Sequence, residues 1–265
     1  MISPIRKAIE LRNHAGQKAL SVFLTSGYPD PAGFVDLAVE ILSSGADMLE
    51  LGIPFSDPIA DGPVIQVSSQ IALKNGVTLR TALDFSEQIK RRTDKPVILM
   101  GYANPILQYG LKEFIRDAQN SGCNGVIIPD VPLEEYRTFW PVEKESLDVI
   151  LLTTPTAPEQ RIHDIDNLSE GFVYCVSVTG TTGMRENFSE DVIRTVSRTY
   201  DSISKNKMLI GFGISGSDDV KKFSLFCDGV IVGSAVIRHL NAGNPDVQGA
   251  LDLVASLRVA CDKLE

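Results

Sequence analysis

The sequence predicts an α/β protein of the (β/α)8 TIM-barrel class, with residues 1–265 forming one domain. Eight short segments are almost continuous in apolar and β-branched residues, which is typical of parallel strands covered on both faces. Residues with helical apolar spacing follow each segment, and a TIM barrel usually contains eight such units in about 250 residues. An open doubly wound sheet is the alternative. It usually has fewer strands and a glycine-rich turn after the first, whereas the glycine-rich turns here follow strands six to eight.

The first strand, 19–25, is preceded by an extra N-terminal helix over residues 4–15. Ser3 suits the N-cap of this helix, Pro4 suits its first position, and Gly16 follows its end. The other strands are predicted at 48–51, 96–102, 125–129, 149–154, 172–177, 208–213 and 229–233. Helices are predicted at 32–44, 64–74, 79–92, 111–121, 133–145, 158–168, 190–204, 217–226 and 247–264, with further short helices in the loops after the strands.

Composition excludes several classes of protein. No apolar run reaches the roughly 20 residues of a membrane helix, and the N-terminal residues lack the apolar stretch of a secretory signal. The net charge of −9 disfavours broad binding to nucleic acid or anionic membranes. The four cysteines form no CxxC pair, so we expect reduced thiols in a cytoplasmic protein, with Cys175 and Cys227 in the core.

Three carboxylates lie in or beside one strand and the loop that follows it, over residues 47–63. Glu50 lies within the apolar strand, and Asp57 and Asp61 lie in the proline- and glycine-rich loop. A carboxylate at the apolar end of a strand is costly unless it is used. Two acids in different surroundings can have separate pKa values and act as an acid–base pair. Alternatively, Glu50 pairs with an arginine, and both aspartates are turn residues.

Catalytic residues of a TIM barrel lie where its strands end. Segments 211–215 and 233–235 follow strands seven and eight, the usual phosphate position, and their glycines let backbone amides approach an anion. The same glycines could serve only as tight turns. Asp130, after strand four, is interpreted as the cap of the following helix. Apolar side chains near the same ends suit a flat hydrophobic substrate, although each alone is typical of a core: Phe23, Tyr102, Ile127, Tyr174 and Phe212.

Other chemistries lack their residues at the strand ends. Lys18, Lys95 and Lys207 precede their strands, which disfavours a Schiff-base lysine at the mouth. The three histidines do not cluster with carboxylates at ligand spacing, which disfavours a catalytic metal. The sequence therefore predicts a site that binds a phosphorylated substrate and uses carboxylates, without a metal or a catalytic lysine.

Residues 49–66, LELGIPFSDPIADGPVIQ, resemble the signature of the tryptophan synthase alpha chain family. Further family blocks match in order at residues 102–105, 130–132, 182–183, 211–215 and 233–235, so the resemblance spans nearly the whole chain. It implies cleavage of indole-3-glycerol phosphate to indole and glyceraldehyde 3-phosphate. The catalytic glutamate of the family corresponds to Glu50 and the catalytic aspartate to Asp61, and no cofactor is implied in this chain.

The resemblance also suggests how the site is divided. Glu50 would protonate indole C3 and take a proton from the neighbouring hydroxyl, and Asp61 would hold the ring N–H. The indole slot would include Phe23 and Tyr174. The residues expected to bind substrate are Phe23, Tyr102, Ile127, Tyr174, Thr182, Gly183, Gly211, Phe212, Gly213, Gly233 and Ser234, of which Gly183, Gly211, Gly213, Gly233 and Ser234 would form the phosphate pocket.

The family works as an α2β2 complex, in which indole passes through a tunnel to a beta chain that carries pyridoxal phosphate. Loops 54–61 and 179–187 would be lids, with Thr182 bonding to Asp61 on closure, and Pro54 and Asp57 would lie near the partner. Val178 and Thr181 depart from the arginine and the hydrophobic residue of many members, which bears on allosteric signalling. Two alternatives stay open: an alpha chain that only activates the beta subunit, and another phosphosugar isomerase or epimerase.

Overall fold

The computed structural model describes residues 2–140, 147–154, 156–176, 190–211, 213–241 and 243–263. Its eight strands are all parallel and form a closed barrel in chain order, β1 to β8, which confirms the predicted fold class. The strands are β1 Ala19–Thr25, β2 Met48–Gly52, β3 Val97–Met100, β4 Gly125–Ile127, β5 Asp148–Thr153, β6 Val173–Val176, β7 Met208–Gly211 and β8 Gly229–Val232.

Helices surround the barrel and bury their apolar faces against it. They are α1 Pro4–His14, α2 Phe34–Ser43, α3 Pro63–Lys74, α4 Leu79–Lys90, α5 Ala103–Tyr109, α6 Leu111–Asn120, α7 Leu133–Phe139, α8 Glu159–Leu168, α9 Glu190–Asp201, α10 Ser217–Phe223, α11 Ser234–His239 and α12 Val247–Asp262, and a 3-10 turn over Ser224–Phe226 follows α10. In the part of the chain just described, no helix is both long and apolar enough to cross a membrane.

Most predicted boundaries agree with the structure to within a few residues; α7 is described from Leu133 to Phe139, and part of its predicted C-terminal end, residues 141–145, lies outside the described residues. α5 is one of the short helices predicted in the loops after the strands, although no bounds were predicted for it. Pro105 is the third residue of the helix, in the first turn, where a missing N–H breaks no intrahelical bond. The strand therefore ends at Met100 instead of 102, and Tyr102 becomes the N-cap of α5.

The N-terminal end of the barrel is closed by α1. Ser3 caps this helix as predicted, its hydroxyl accepting from the backbone N–H of Arg6 at 3.1 Å. Ile5 is fully buried, and a methyl group added at Gly125 or Gly171 would collide with it, so both glycines allow the helix to lie directly on the strand ends. Cys175 and Cys227 are fully buried, which confirms their predicted place in the core.

A buried ion-pair network joins α1, β1, β2 and α12 at this end, centred on Asp47. Its Oδ1 accepts from Arg12 Nε at 2.7 Å, and its Oδ2 accepts from Arg258 at 2.8 Å and from the backbone N–H of Leu20 at 2.9 Å. Gly45 leaves the space in which the Arg258 side chain packs. The network fixes strand ends far from the mouth, so its role is structural.

Candidate active site

The C-terminal mouth of the barrel contains a pocket with about 610 Å³ of empty space, counted up to its opening. Side chains from β1, β2, β3, β6 and β8 form its inner wall, and the loops after β2, β7 and β8 form its rim. The lining residues are Phe23, Glu50, Asp61, Ile65, Met100, Tyr174, Gly213, Ile214, Ser215, Ile231, Gly233, Ser234, Ala235 and Arg238.

Glu50 lies on the inner wall, in the middle of β2, and is fully buried. Its Oε1 accepts a hydrogen bond from the Ser21 hydroxyl at 2.7 Å, and its Oε2 has no hydrogen-bond partner among the described residues. Burial raises the pKa of Glu50 from 4.5 to about 7, against the opposing effect of the Ser21 hydrogen bond. In the described part of the chain, Glu50 does not form the ion pair with an arginine that the alternative interpretation required.

Asp61 lies in the loop between β2 and α3 and is nearly buried. Its Oδ2 accepts from the Tyr102 hydroxyl at 2.8 Å, and that hydroxyl in turn accepts from the backbone N–H of Ala60 at 3.1 Å. Burial raises the pKa of Asp61 from 3.8 to about 6, while the Tyr102 hydrogen bond lowers it. The backbone of Asp61 does form a turn to Pro58, but its side chain faces the pocket.

Glu50 and Asp61 thus open into the same pocket, both with pKa values raised by burial. At neutral pH Glu50 is partly protonated and Asp61 is mostly ionised. A neutral acid beside a carboxylate is a suitable arrangement for proton transfer to a substrate bound between them.

Gly213 and Ser215 from the loop after β7, and Gly233 and Ser234 at the start of α11, line the same pocket; these segments were predicted to bind phosphate. Arg238 of α11 also lines it, a residue that the sequence analysis missed. Arg238 follows Ser234 by four residues, which places both on one face of the short helix. This four-residue spacing could have indicated Arg238 as a phosphate ligand. It was not used, because backbone amides were expected to bind the anion without a basic side chain.

Other predicted residues lie behind the pocket wall. Tyr102 lines a small adjoining hollow that Asp61 also lines, and its ring lies 5.3 Å from that of Phe55. Ile127 is fully buried on β4 and does not line the pocket. Gly211 makes room for Tyr174, since a Cβ at this position would overlap the tyrosine hydroxyl. Thr182, Gly183 and Phe212, together with Val178, Thr181 and the loop 179–187, lie outside the described residues.

The interpretation of Asp130 as the cap of the helix after it was wrong. Its carboxylate accepts from the backbone N–H of Ala103 at 2.9 Å and 3.2 Å, so it caps α5, the helix after the neighbouring strand. Pro132 occupies the N-cap of α7 without a side-chain bond. Because β3 and β4 are adjacent, the residues after β4 come within reach of the start of α5.

The three lysines before the strands lie at the end of the barrel opposite the pocket, as predicted. Lys18 donates to the carbonyl of Cys227, Lys95 donates to carbonyls before β2, and Lys207 pairs with Asp228. No group of three or more histidines, cysteines or acids that could hold a metal was found within the described ranges.

Comparison with known proteins identifies the family. The model of the tryptophan synthase alpha chain family matches residues 10–265. The alpha chain of Christiangramia forsetii is 42% identical over 226 residues, 84% of this chain and 88% of that one, and the alpha chain of Geotalea uraniireducens is 44% identical over 223 residues, 84% and 83% of the two chains.

Solved structures agree with this identification. A structure of Mycobacterium tuberculosis tryptophan synthase has a TM-score of 0.90 at 30% identity, covering 99% of this chain and all of that one. The tryptophan synthase alpha subunit from Legionella pneumophila has a TM-score of 0.85 at 34% identity, covering 99% of both chains. The chain therefore belongs to the tryptophan synthase alpha chain family, lyases that cleave indole-3-glycerol phosphate.

Proposed function

We propose that this chain cleaves indole-3-glycerol phosphate to indole and glyceraldehyde 3-phosphate, with Glu50 and Asp61 as its acid–base residues. The observation that carries the assignment is that both buried carboxylates line one pocket together with glycines, serines and an arginine from the loops after β7 and β8 and from α11. Phe23 and Tyr174 supply apolar surface in the same pocket, which suits a flat indole ring.

The proposed chemistry needs two proton transfers. Neutral Glu50 gives its proton to indole C3, and the resulting positive charge on the ring nitrogen is stabilised by the Asp61 carboxylate through the N–H. Ionised Glu50 then removes the proton of the adjacent hydroxyl, a carbonyl forms there, and the carbon–carbon bond breaks. Its electron pair returns to the ring and restores aromatic indole. No cofactor of this chain takes part.

The roles are those that the family resemblance implies, and the surroundings of the two acids fit them. Glu50, with a pKa of about 7, is protonated in a large fraction of molecules at neutral pH, as a general acid should be. Asp61, with a pKa of about 6, is mostly ionised there, which suits stabilisation of a cation. The Tyr102 hydroxyl holds the Asp61 carboxylate at the edge of the pocket.

The substrate phosphate is assigned to the part of the pocket lined by Gly213, Gly233 and Ser234. The family resemblance adds Gly183, whereas Gly211, which the resemblance also suggested, packs against Tyr174 and does not line the pocket. Glycine loops allow close contact between backbone amides and an anion. Arg238 adds a positive charge at the same place, in a chain whose net charge is −9. We assign to Arg238 part of the affinity for the phosphate.

Arg238→Gln is expected to raise KM for indole-3-glycerol phosphate about tenfold with a smaller change in kcat, because a hydrogen bond to a charged group contributes about 1.5–3 kcal/mol. Inhibition by glycerol phosphate should weaken in parallel. Arg116→Gln, at an exposed arginine of α6, is the control and should leave both constants unchanged. Equal KM values for the two variants would remove Arg238 from phosphate binding.

The proposed partner is a tryptophan synthase beta chain that carries pyridoxal phosphate, in an α2β2 complex within the cytoplasm. Two large apolar side chains support this, because Ile59 in the loop after β2 is 75% exposed and Leu107 of α5 is 56% exposed. Both follow strand ends, so they border the same face of the barrel as the pocket. The predicted contacts Pro54 and Asp57 belong to the same loop as Ile59.

The test is a lyase assay with indole-3-glycerol phosphate, using the chain alone and with a beta chain, beside Asp61→Asn. We expect indole and glyceraldehyde 3-phosphate in equal amounts, with turnover reduced at least 100-fold in the variant. Equal rates would remove Asp61 from the mechanism. Absence of cleavage even with the beta chain would favour a role as activator only, and conversion of the substrate without release of indole would favour an isomerase.

A further inference from the structure

Ser21 is the residue of β1 whose side chain reaches the carboxylate of Glu50 on β2. Its hydroxyl donates to Glu50 Oε1 at 2.7 Å, and both residues are fully buried. The strands are paired so that Phe23 lies opposite Glu50, and Ser21 lies two residues before Phe23 on the same side of its strand. A fully buried hydroxyl needs a hydrogen bond, and Glu50 supplies the acceptor.

The bond makes the two oxygens of Glu50 different. Oε1 is held by Ser21, whereas Oε2 is buried without a hydrogen-bond partner in the described part of the structure. Because Glu50 lines the pocket, Oε2 is the oxygen left available for a substrate. An unsatisfied buried oxygen is costly in the empty protein, and a bound substrate would relieve that cost.

The other polar groups around Glu50 do not replace Ser21. Asp61 from the loop after β2, Tyr174 from β6 and Arg238 from α11 line the same pocket. Tyr174 and Asp61 carry no positive charge that could stabilise the ionised carboxylate of Glu50. Among the described residues, Glu50 forms no ion pair, with Arg238 or with any other basic side chain. The neighbour of Glu50 on β3 is Ile98, which is apolar. Ser21 is therefore the hydrogen-bond donor that acts on this carboxylate in the described structure.

We propose that Ser21 is a positioning residue for Glu50: it holds Oε1, directs Oε2 to the substrate and stabilises the ionised carboxylate. The catalytic part of this inference rests on the proposed lyase function. The balance of the reaction is unchanged, since Glu50 still gives one proton to indole C3 and recovers one from the hydroxyl. Ser21 sets the orientation of the acid and the pH range in which it holds its proton.

The first experiment needs no substrate. Carbon-13 labelling of the glutamate carboxyls, with Glu50→Gln to assign the signal, gives the pKa of Glu50 by NMR titration. We expect Ser21→Ala to raise that pKa by about one unit, as loss of one hydrogen bond to a charged group predicts. Ser21→Thr keeps the hydroxyl and should retain the original value. Ser86→Ala, at a fully buried serine of α4 bonded to the carbonyl of Ser121, is the matched control and should not move it.

The second experiment is the pH profile of kcat/KM for indole-3-glycerol phosphate cleavage. In Ser21→Ala the alkaline limb should move upward by the same amount, and kcat should fall about tenfold, with KM almost unchanged and with recovery in Ser21→Thr. An unchanged Glu50 titration in folded Ser21→Ala would overturn the proposal, even if the chain is a lyase. A shifted titration in a chain that cleaves nothing would contradict the lyase function and leave the action of Ser21 on Glu50 supported.

Discussion

Glu50→Gln is expected to lower kcat for indole-3-glycerol phosphate cleavage by about 10²–10⁴-fold, the usual contribution of a general acid–base group. Glutamine has nearly the same shape but can neither give a proton to indole C3 nor take one from the hydroxyl. Because the Phe23 and Tyr174 surfaces and the glycine-rich side remain, KM should change little. Steady-state kinetics with indole detection measure both constants.

The same substitution should stabilise the protein at alkaline pH. The pKa of Glu50 is about 7 in the folded protein and about 4.5 in the unfolded chain, so the folded state binds more protons between these values. The contribution of Glu50 to the free energy of unfolding is therefore largest below pH 4.5 and decreases as the pH rises toward 7. At about 1.4 kcal/mol per pH unit, the ionised carboxylate costs about 3 kcal/mol at pH 8.

Glutamine stays neutral and removes this cost, although its buried NH2 group adds a penalty that does not depend on pH. The diagnostic quantity is thus the difference in free energy of unfolding between variant and wild type, which should increase by about 3 kcal/mol from pH 4.5 to pH 8. Urea unfolding at several pH values measures it. Glu87→Gln, at an exposed glutamate of α4, serves as the control, with kcat and pH dependence unchanged. A Glu50→Gln variant with full activity would contradict the assigned role of this residue.

The sequence could predict the barrel because each strand is a nearly uninterrupted buried run and each helix repeats its apolar residues at 3.6-residue spacing. Glu50 stood out for the same reason, since a carboxylate in such a run is energetically unfavourable without a use. Asp61 was predictable from its place in the loop after that strand. These signals are local, so they can be recognised in the sequence without knowing which residues are neighbours in the folded protein.

The missed features are contacts between segments distant in the sequence. Ser21 is a small polar residue in a strand, and nothing in the sequence near it indicates that it bonds to Glu50. Asp130 looked like a cap for its own helix, yet barrel closure brings it to the start of α5. Tyr102 was predicted as a substrate contact, and its hydrogen bond to Asp61 was not predicted. Such pairings depend on the relative positions of neighbouring strands and loops, which sequence patterns do not specify.

Asp47→Ala is expected to cost about 3–5 kcal/mol of stability, the usual loss when one member of a buried ion pair is removed. Arg258, whose side chain is only 9% exposed, pairs with Asp47 and with Asp262 and would lose the first of these two contacts. The backbone N–H of Leu20 would also lose its acceptor. The corresponding fall in Tm is about 10 °C for a chain of this size. Thermal and urea unfolding followed by circular dichroism measure the change.

Asp36→Ala provides the matched control, because Asp36 also pairs with an arginine but is 69% exposed and should contribute less than about 1 kcal/mol. Equal losses in the two variants would show that burial does not determine the contribution of Asp47. At a temperature where Asp47→Ala is folded, kcat and KM should match the wild type, since the network lies at the opposite end of β2 from the pocket. A loss of stability without a loss of catalysis is the expected behaviour at the N-terminal face of a TIM barrel, whereas Glu50→Gln at the mouth should lose catalysis without losing stability.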